Sequence, residues 1–160
     1  MLLSTFLVED KPDIRDTVLQ NMPALAPIVF IGHADSEDTA RQWLKQHDRH
    51  WQLAIVDLFL AQGSGFGVLK DCLARHPEQK VVVLTSYSEP NIATQCLQLG
   101  ADRVFNKNSE LGGLVEFCKA HAKYLDGKRR AFHSEPDRAG LAATPNCSVF
   151  NSGLRLLNKG

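Results

Sequence analysis

The sequence predicts a doubly wound α/β fold, in which helices cover both faces of a parallel sheet. Short apolar runs alternate five times with amphipathic segments, the connections are short, and the central run 53–56 is apolar at every position. Strands buried on both faces read as continuous apolar runs. Parallel neighbours need crossover connections, which helices supply. The 160 residues suffice for one domain of ordinary size with an appendage.

The first two units each start with a strand, predicted over 5–8 and 28–31. Pro12 suits the first turn of the helix after strand one, because its missing N–H would be unpaired there. The apolar positions of that helix are Ile14, Val18 and Met22. The second helix has Asp35 or Ser36 as its cap. Its spacing predicts four inward positions, Ala40, Trp43, Leu44 and His47.

The other three strands are predicted over 53–56, 80–84 and 103–106. The glycine-rich turn at Gly63 opens the third helix, which His76 and Pro77 end, because a residue before proline disfavours the α region. Pro90 begins the fourth helix and Gly100 follows it. The fifth helix spans about 109–125. The inward positions of these helices are Phe66, Leu69, Cys72 and Leu73, then Ile92, Ala93, Cys96 and Leu97, then Leu111, Leu114, Val115, Cys118, Ala122 and Leu125.

This alternation predicts a flavodoxin-like (βα)5 sheet with strand order 2-1-3-4-5. The domain spans 1–125. Residues 126–160 lose the periodicity and form a flexible or loosely docked tail, in which Leu154, Leu156 and Leu157 are the candidates for a docked turn.

Composition constrains the partners and the compartment. Eighteen basic and eighteen acidic side chains balance, so the net charge gives no reason to expect nucleic acid or anionic membrane as a partner. Four widely spaced cysteines are typical of reduced thiols in a cytoplasmic protein. No apolar run is long enough to span a membrane, and the amino terminus lacks the basic region of a signal peptide.

The predicted strand order brings polar residues to one edge of the sheet. Glu9 and Asp10 follow the first strand and Asp57 follows the third, so three carboxylates share a crevice that suits Mg²⁺. The fourth strand adds Thr85 and the fifth adds Lys107. An acid pair, a nucleophilic acid, a hydroxyl and a lysine are the parts of a phosphoryl-transfer site.

On these residues the sequence resembles the response-regulator receiver family across about residues 4–125. The matching stretches are Phe6 to Asp10, Ile55 to Asp57, Val82 to Ser86, and Gly100 to Asp102 leading to Lys107. The resemblance implies that Asp57 accepts a phosphoryl group from a sensor histidine kinase or phosphotransfer protein. It also implies that Glu9, Asp10, Asp57 and the backbone carbonyl of Phe59 hold Mg²⁺, Glu9 mostly through water. Thr85 would turn to the phosphoryl group, Lys107 would pair with it, and the output would be protein binding.

Two positions depart from the family pattern. The family usually has a proline in a cis bond after its lysine, and this chain has Asn108. The loop is therefore open to a trans arrangement. The family also tends to have an aromatic residue where this chain has Val104. Phe105 is adjacent but is expected on the opposite face of its strand.

The sequence is compatible with several other functions. One is a degenerate receiver that binds a partner without phosphorylation. Another is an aspartate-nucleophile phosphatase, although that chemistry usually wants a second acid where Phe59 stands. The pair His47 and His50 lacks a third metal ligand nearby in sequence, and the basic residues 128–130 read as a solvated tail rather than a nucleic-acid contact. The sequence does not name the kinase, the output partner or the oligomeric state.

Overall fold

The computed structural model describes residues 1–87 and 89–134. Five parallel strands form one sheet of order 2-1-3-4-5, as predicted. The elements are β1 (Leu3–Val8), α1 (Pro12–Leu25), β2 (Ile28–Ala34), α2 (Glu37–Gln46), β3 (Leu53–Val56), α3 (Gly65–Asp71), β4 (Lys80–Thr85), α4 (Pro90–Gln98), β5 (Arg103–Asn106) and α5 (Leu111–His133).

The sheet is buried on both faces, which explains the unbroken apolar runs of its central strands. One face packs against α2, α3 and α4, through residues such as Ala40, Leu69 and Cys96. The other face packs against α1 and α5, through residues such as Met22 and Leu114. Successive residues of a strand point to opposite faces, so each core strand contributes to both layers and is held in place from both sides.

The helix boundaries follow local chemistry. Pro12 stands in the first turn of α1. Ser36 caps α2 through a capping box, in which its hydroxyl accepts from the Thr39 N–H and the Thr39 hydroxyl accepts from the Ser36 N–H. Ser64 caps α3. Gly100 follows α4 at φ +92°, a left-handed conformation that favours glycine.

The pairing of β1 with β2 contains an irregularity. Thr5 pairs with Phe30 and Phe6 pairs with Gly32, so Ile31 is an extra residue in the edge strand. Gly32 also makes room for the Trp43 indole, because a Cβ there would come within 2.6 Å of that ring. The indole stacks between Phe6 and His47, at centroid distances of 3.9 and 4.1 Å.

Three predicted inward positions are wrong. Leu73 is exposed because α3 ends at Asp71, well before His76 and Pro77, so the helical spacing no longer applies to it. Leu97 is exposed because α4 buries only a narrow stripe centred on Cys96. Leu111 is exposed at the first position of α5, where no turn precedes it.

The predicted end of the last helix is also wrong. α5 continues past Leu125 to His133 and includes Gly127 and the basic residues 128–130. A helix-interior glycine costs about 1 kcal/mol relative to alanine, and the lysine, arginine and alanine around it are good helix formers. The rest of the predicted tail, with Cys147 and the leucines at 154, 156 and 157, lies outside the described residues.

Other expectations concern cysteines and membrane spans. Cys72, Cys96 and Cys118 are buried free thiols. Burial raises the pKa of Cys72 and of Cys118 to about 12, so both stay protonated and unreactive near neutral pH. Within the described part of the chain, no helix combines the length and the apolar character needed to cross a membrane.

Candidate functional site

The carboxyl ends of four neighbouring strands deliver the predicted site residues to one edge of the sheet. The Glu9 N–H donates to the Ala34 carbonyl, and the Asp57 N–H donates to the Val8 carbonyl. The Lys107 N–H donates to the Thr85 carbonyl. These bonds continue the sheet by one residue past each strand, so the side chains that follow the strands start from fixed positions.

Lys107 joins two carboxylates at this edge. Its Nζ lies 2.5 Å from Glu9 Oε2 and 3.0 Å from Asp57 Oδ2. Burial alone would lower the pKa of Lys107, but its hydrogen bond to Glu9 and its interactions with Asp57 outweigh burial and raise that pKa above its ordinary value. Lys107 is therefore a fixed positive charge beside Asp57. The sequence had suggested its pairing with a phosphoryl group, not this link to Glu9.

Glu9 is held in place by the same contacts. It is 2% exposed, and its Oε1 accepts from the Lys11 N–H at 3.1 Å. Burial raises the pKa of Glu9, and the charge of Asp57 acts in the same direction, against the hydrogen bonds from Lys107 and Lys11. One ammonium thus contacts two of the three carboxylates in the cluster, and the pocket keeps an excess of negative charge.

That excess suits a divalent cation. Glu9, Asp10 and Asp57 each offer a carboxylate oxygen, and these oxygens lie within 4.8 Å of one another. Asp10 Oδ2 accepts from the Ala61 N–H at 2.8 Å, whereas Asp10 Oδ1 is buried and has no hydrogen-bond partner. A buried carboxylate oxygen without a partner is costly unless a ligand satisfies it. The residues therefore fit Mg²⁺, a hard cation that takes oxygen ligands.

Thr85 is the buried last residue of β4, and two exposed aromatic rings, those of Phe59 and Tyr87, come from the loops that follow β3 and β4. The Thr85 hydroxyl accepts from the Tyr87 N–H at 3.3 Å. The ring of Tyr87 contacts that of Phe59, with centroids 4.5 Å apart and planes inclined by 59°. Phe59 comes two residues after Asp57 and Tyr87 two residues after Thr85, but the sequence gives no sign that the two rings touch. The backbone of Phe59 bridges to Ser64 across the loop that follows Asp57.

The loop after β5 is built without a proline. The described residues contain no cis peptide bond, so Lys107 and Asn108 are joined in trans. The Asn108 N–H donates to Asn106 Oδ1 at 2.8 Å, and the Asn106 N–H donates to Glu110 Oε2 at 2.7 Å. Two side-chain hydrogen bonds thus order the loop that carries Lys107.

The strand that precedes Lys107 has its aromatic residue on the sheet face that packs against α1 and α5. Phe105 is buried in the layer formed with α1 and α5. Val104 packs on the opposite layer, with α2, α3 and α4. The expected alternation is confirmed.

His47 is engaged by its own helix. Its ring stacks on Trp43 and its Nδ1 lies 2.9 Å from the Trp43 carbonyl oxygen.

Comparison with known families decides the classification. The family model of the response regulator receiver domain matches residues 5–119, most of the chain. The chain belongs to the response regulator receiver family. Receiver domains are signalling domains of two-component systems, and the match includes all the candidate site residues.

Named relatives of this receiver domain are regulators. The transcriptional regulatory protein CitB of Klebsiella pneumoniae is 26% identical over 127 residues, covering 79% of this chain and 53% of CitB. The DNA-binding transcriptional activator DevR/DosR of Mycobacterium tuberculosis is 27% identical over 135 residues, covering 81% of this chain and 60% of the activator. The receiver chain thus matches only a little over half the length of these two relatives.

Solved structures agree on the fold. The signal receiver domain of the putative response regulator NarL from Mycobacterium tuberculosis has a TM-score of 0.66 at 23% identity, with 76% of this chain and 97% of that chain covered. The receiver domain of a putative Luxo repressor protein from Vibrio parahaemolyticus also scores 0.66, at 21% identity, and covers 85% of this chain and 100% of that one.

Proposed function

We propose that this receiver domain is a phosphorylation-dependent switch, with Asp57 as its phosphoacceptor. The observation that supports it most is the position of Asp57. Its carboxylate is buried, contacts the Lys107 ammonium at 3.0 Å, and belongs to one cluster with Asp10, whose Oδ1 is buried without a hydrogen-bond partner. Such a carboxylate is a nucleophile placed between a fixed cation and a candidate metal position.

Each neighbour of Asp57 has a role in this proposal. Lys107 pairs with the oxygens of the incoming phosphoryl group and so stabilises its charge. The Thr85 hydroxyl breaks its hydrogen bond with the Tyr87 N–H and donates a hydrogen bond to the same phosphoryl group. Glu9, Asp10, Asp57 and the Phe59 carbonyl hold Mg²⁺, with Glu9 acting mostly through water. The bound cation supplies charge neutralisation for the phosphoryl oxygens.

The donor and the output follow from the family. The phosphoryl group would come from a sensor histidine kinase or a phosphotransfer protein, as expected for a receiver in the cytoplasm. The chain itself would transmit the signal by binding a protein rather than by catalysing a reaction on a substrate. Its own part in chemistry would be limited to accepting and losing the phosphoryl group.

Phosphorylation at Asp57 can be tested with a small donor. Incubation with acetyl phosphate and Mg²⁺ should add one phosphoryl group to the parent chain, measured by intact mass, and none to Asp57→Asn. Asp13→Asn, which removes an exposed carboxylate from α1, is the matched control and should label like the parent. Equal labelling of the parent and Asp57→Asn would show that another residue is the acceptor.

A further inference from the structure

The apolar stripe of α5 continues beyond the sheet that it covers. Leu114, Cys118, Leu125 and Phe132 follow one another at intervals of four, seven and seven residues and share one face of the helix. Leu125 is 3% exposed, whereas Phe132 is 83% exposed. The helix therefore presents a large apolar ring on its core-facing side where no strand lies beneath it.

A groove runs under these last turns. It has a volume of about 580 Å³, and its lining includes Gln52, Glu78, Leu125, Lys128, Arg129 and Phe132. The Glu78 carboxylate is paired with Lys128 at 3.0 Å. The groove thus combines an apolar wall with one neutralised ion pair and the positive charge of Arg129.

We propose that this groove binds residues 149–157 of the same chain. This segment contains five large apolar residues and one charged residue, Arg155; the apolar ones are Val149, Phe150, Leu154, Leu156 and Leu157. The groove exposes the apolar ring of Phe132 to water. Apolar side chains that carry little charge would bury that ring, which is favourable.

Chain length permits this arrangement. The link from Ser134 to Val149 can extend to about 50 Å, at roughly 3.3 Å per residue. The helical overhang from Leu125 to Phe132 measures only about 10 Å, at 1.5 Å per residue. The chain can therefore turn back along the helix, and the covalent link keeps the segment at a millimolar effective concentration near the groove.

A second copy of the chain fits the groove less well. A two-fold contact uses the same surface of both copies, so each copy would bring Arg129 and Arg130, which are not part of the Lys128–Glu78 pair, to the contact. The segment 149–157 brings a single arginine to that surface. Charge therefore favours the intramolecular occupant.

Hydroxyl-radical footprinting of the full chain tests this proposal. Hydroxyl radicals should oxidise Phe132 faster in the variants Phe150→Asp and Leu156→Asp than in the parent. If the segment covers the ring two thirds of the time, its release raises the Phe132 rate about threefold. Asn151→Asp adds the same charge to the same segment without removing an apolar contact, and should leave the Phe132 rate near that of the parent. Buried Phe6 should be unchanged throughout, which reports that the domain stays folded.

Three results would overturn the proposal. In the first, Phe132 oxidises at one rate in the parent, Phe150→Asp and Leu156→Asp. In the second, Asn151→Asp raises the rate as much as Phe150→Asp does, so that charge alone is responsible. In the third, the protection of Phe132 grows with protein concentration and is the same in the parent and in the segment variants, which identifies a second copy as the occupant.

Discussion

At the scale of single residues, the site depends on how the charges of its lysine and its carboxylates are paired. Lys107 contacts Glu9 and Asp57, while one oxygen of Asp10 stays without a partner. Since the acids outnumber the lysine, the pocket favours a further positive charge. With a cation bound, the same residues would also be positioned to interact with a phosphoryl group.

Phe59 and Tyr87 belong to this scale as well. They are 45% and 53% exposed, and their rings touch in the loops that follow Asp57 and Thr85. Hydrolysis of a phosphoryl group on Asp57 needs a water in line with the bond that breaks. Neither ring carries a carboxylate or amide that could orient such a water, so hydrolysis lacks the rate enhancement that a positioned water gives.

We therefore expect a long-lived phosphorylated state. Phe59→Asn and Tyr87→Glu should each speed dephosphorylation, by about tenfold or more where the new group orients water. The measurement is loss of the phosphoryl mass over time at fixed Mg²⁺. Tyr124→Glu, an exposed tyrosine on α5, is the control and should match the parent. An unchanged or slower rate in both site variants would mean that these rings do not govern the lifetime.

At the scale of elements, Arg75 ties the connections after α3 and α4 together. Its guanidinium donates to the carbonyls of Cys72, Gln79 and Gly100 and to the Asp102 carboxylate, at 2.7 to 2.9 Å. The same Asp102 oxygen accepts from the Val81 N–H at 2.8 Å. One side chain thus fixes how the last turn of α3 and the end of α4 meet the sheet.

Loss of this contact should cost much more than loss of a surface ion pair. Arg75→Ala removes four charge-assisted hydrogen bonds and should lower the free energy of unfolding by about 2 to 3 kcal/mol. Arg41→Ala breaks the exposed pair with Asp71 and should have a much smaller effect. Urea unfolding of both variants measures the difference. Similar losses would show that Arg75 acts only as another surface charge.

At the scale of the whole molecule, the sequence predicted what depends on periodicity and strand order. The sheet order and the convergence of Glu9, Asp57 and Lys107 follow from the repeated strand-helix units. The split between Val104 and Phe105 follows from alternation along a strand. The contacts of Arg75 were not predicted, because three of its four partners are backbone carbonyls, which carry no residue signature. The end of α5 was missed because Gly127 looks like a helix terminator, although the residues around it favour the helix.

Mg²⁺ should act on the stability of the whole domain. Binding to the folded acidic cluster alone stabilises the fold by RT ln(1 + [L]/Kd), about 1.4 kcal/mol at ten times Kd. Thermal unfolding of the parent should therefore shift upward with Mg²⁺. Asp10→Asn relieves repulsion, so it should raise the Tm without Mg²⁺ and abolish the shift, whereas Asp13→Asn should keep it. A full Mg²⁺ shift in Asp10→Asn would place the cation elsewhere.

The extra residue in β2 has a consequence for aggregation. An edge strand offers unpaired backbone groups to any other chain, and exposed apolar side chains such as Val29 and Ile31 would strengthen such a contact. Because Ile31 is the extra residue opposite β1, the strand bends and twists there and cannot present a long flat edge. The irregularity next to Gly32, the residue that leaves room for Trp43, thus also interrupts one of the two sheet edges on which another chain could pair.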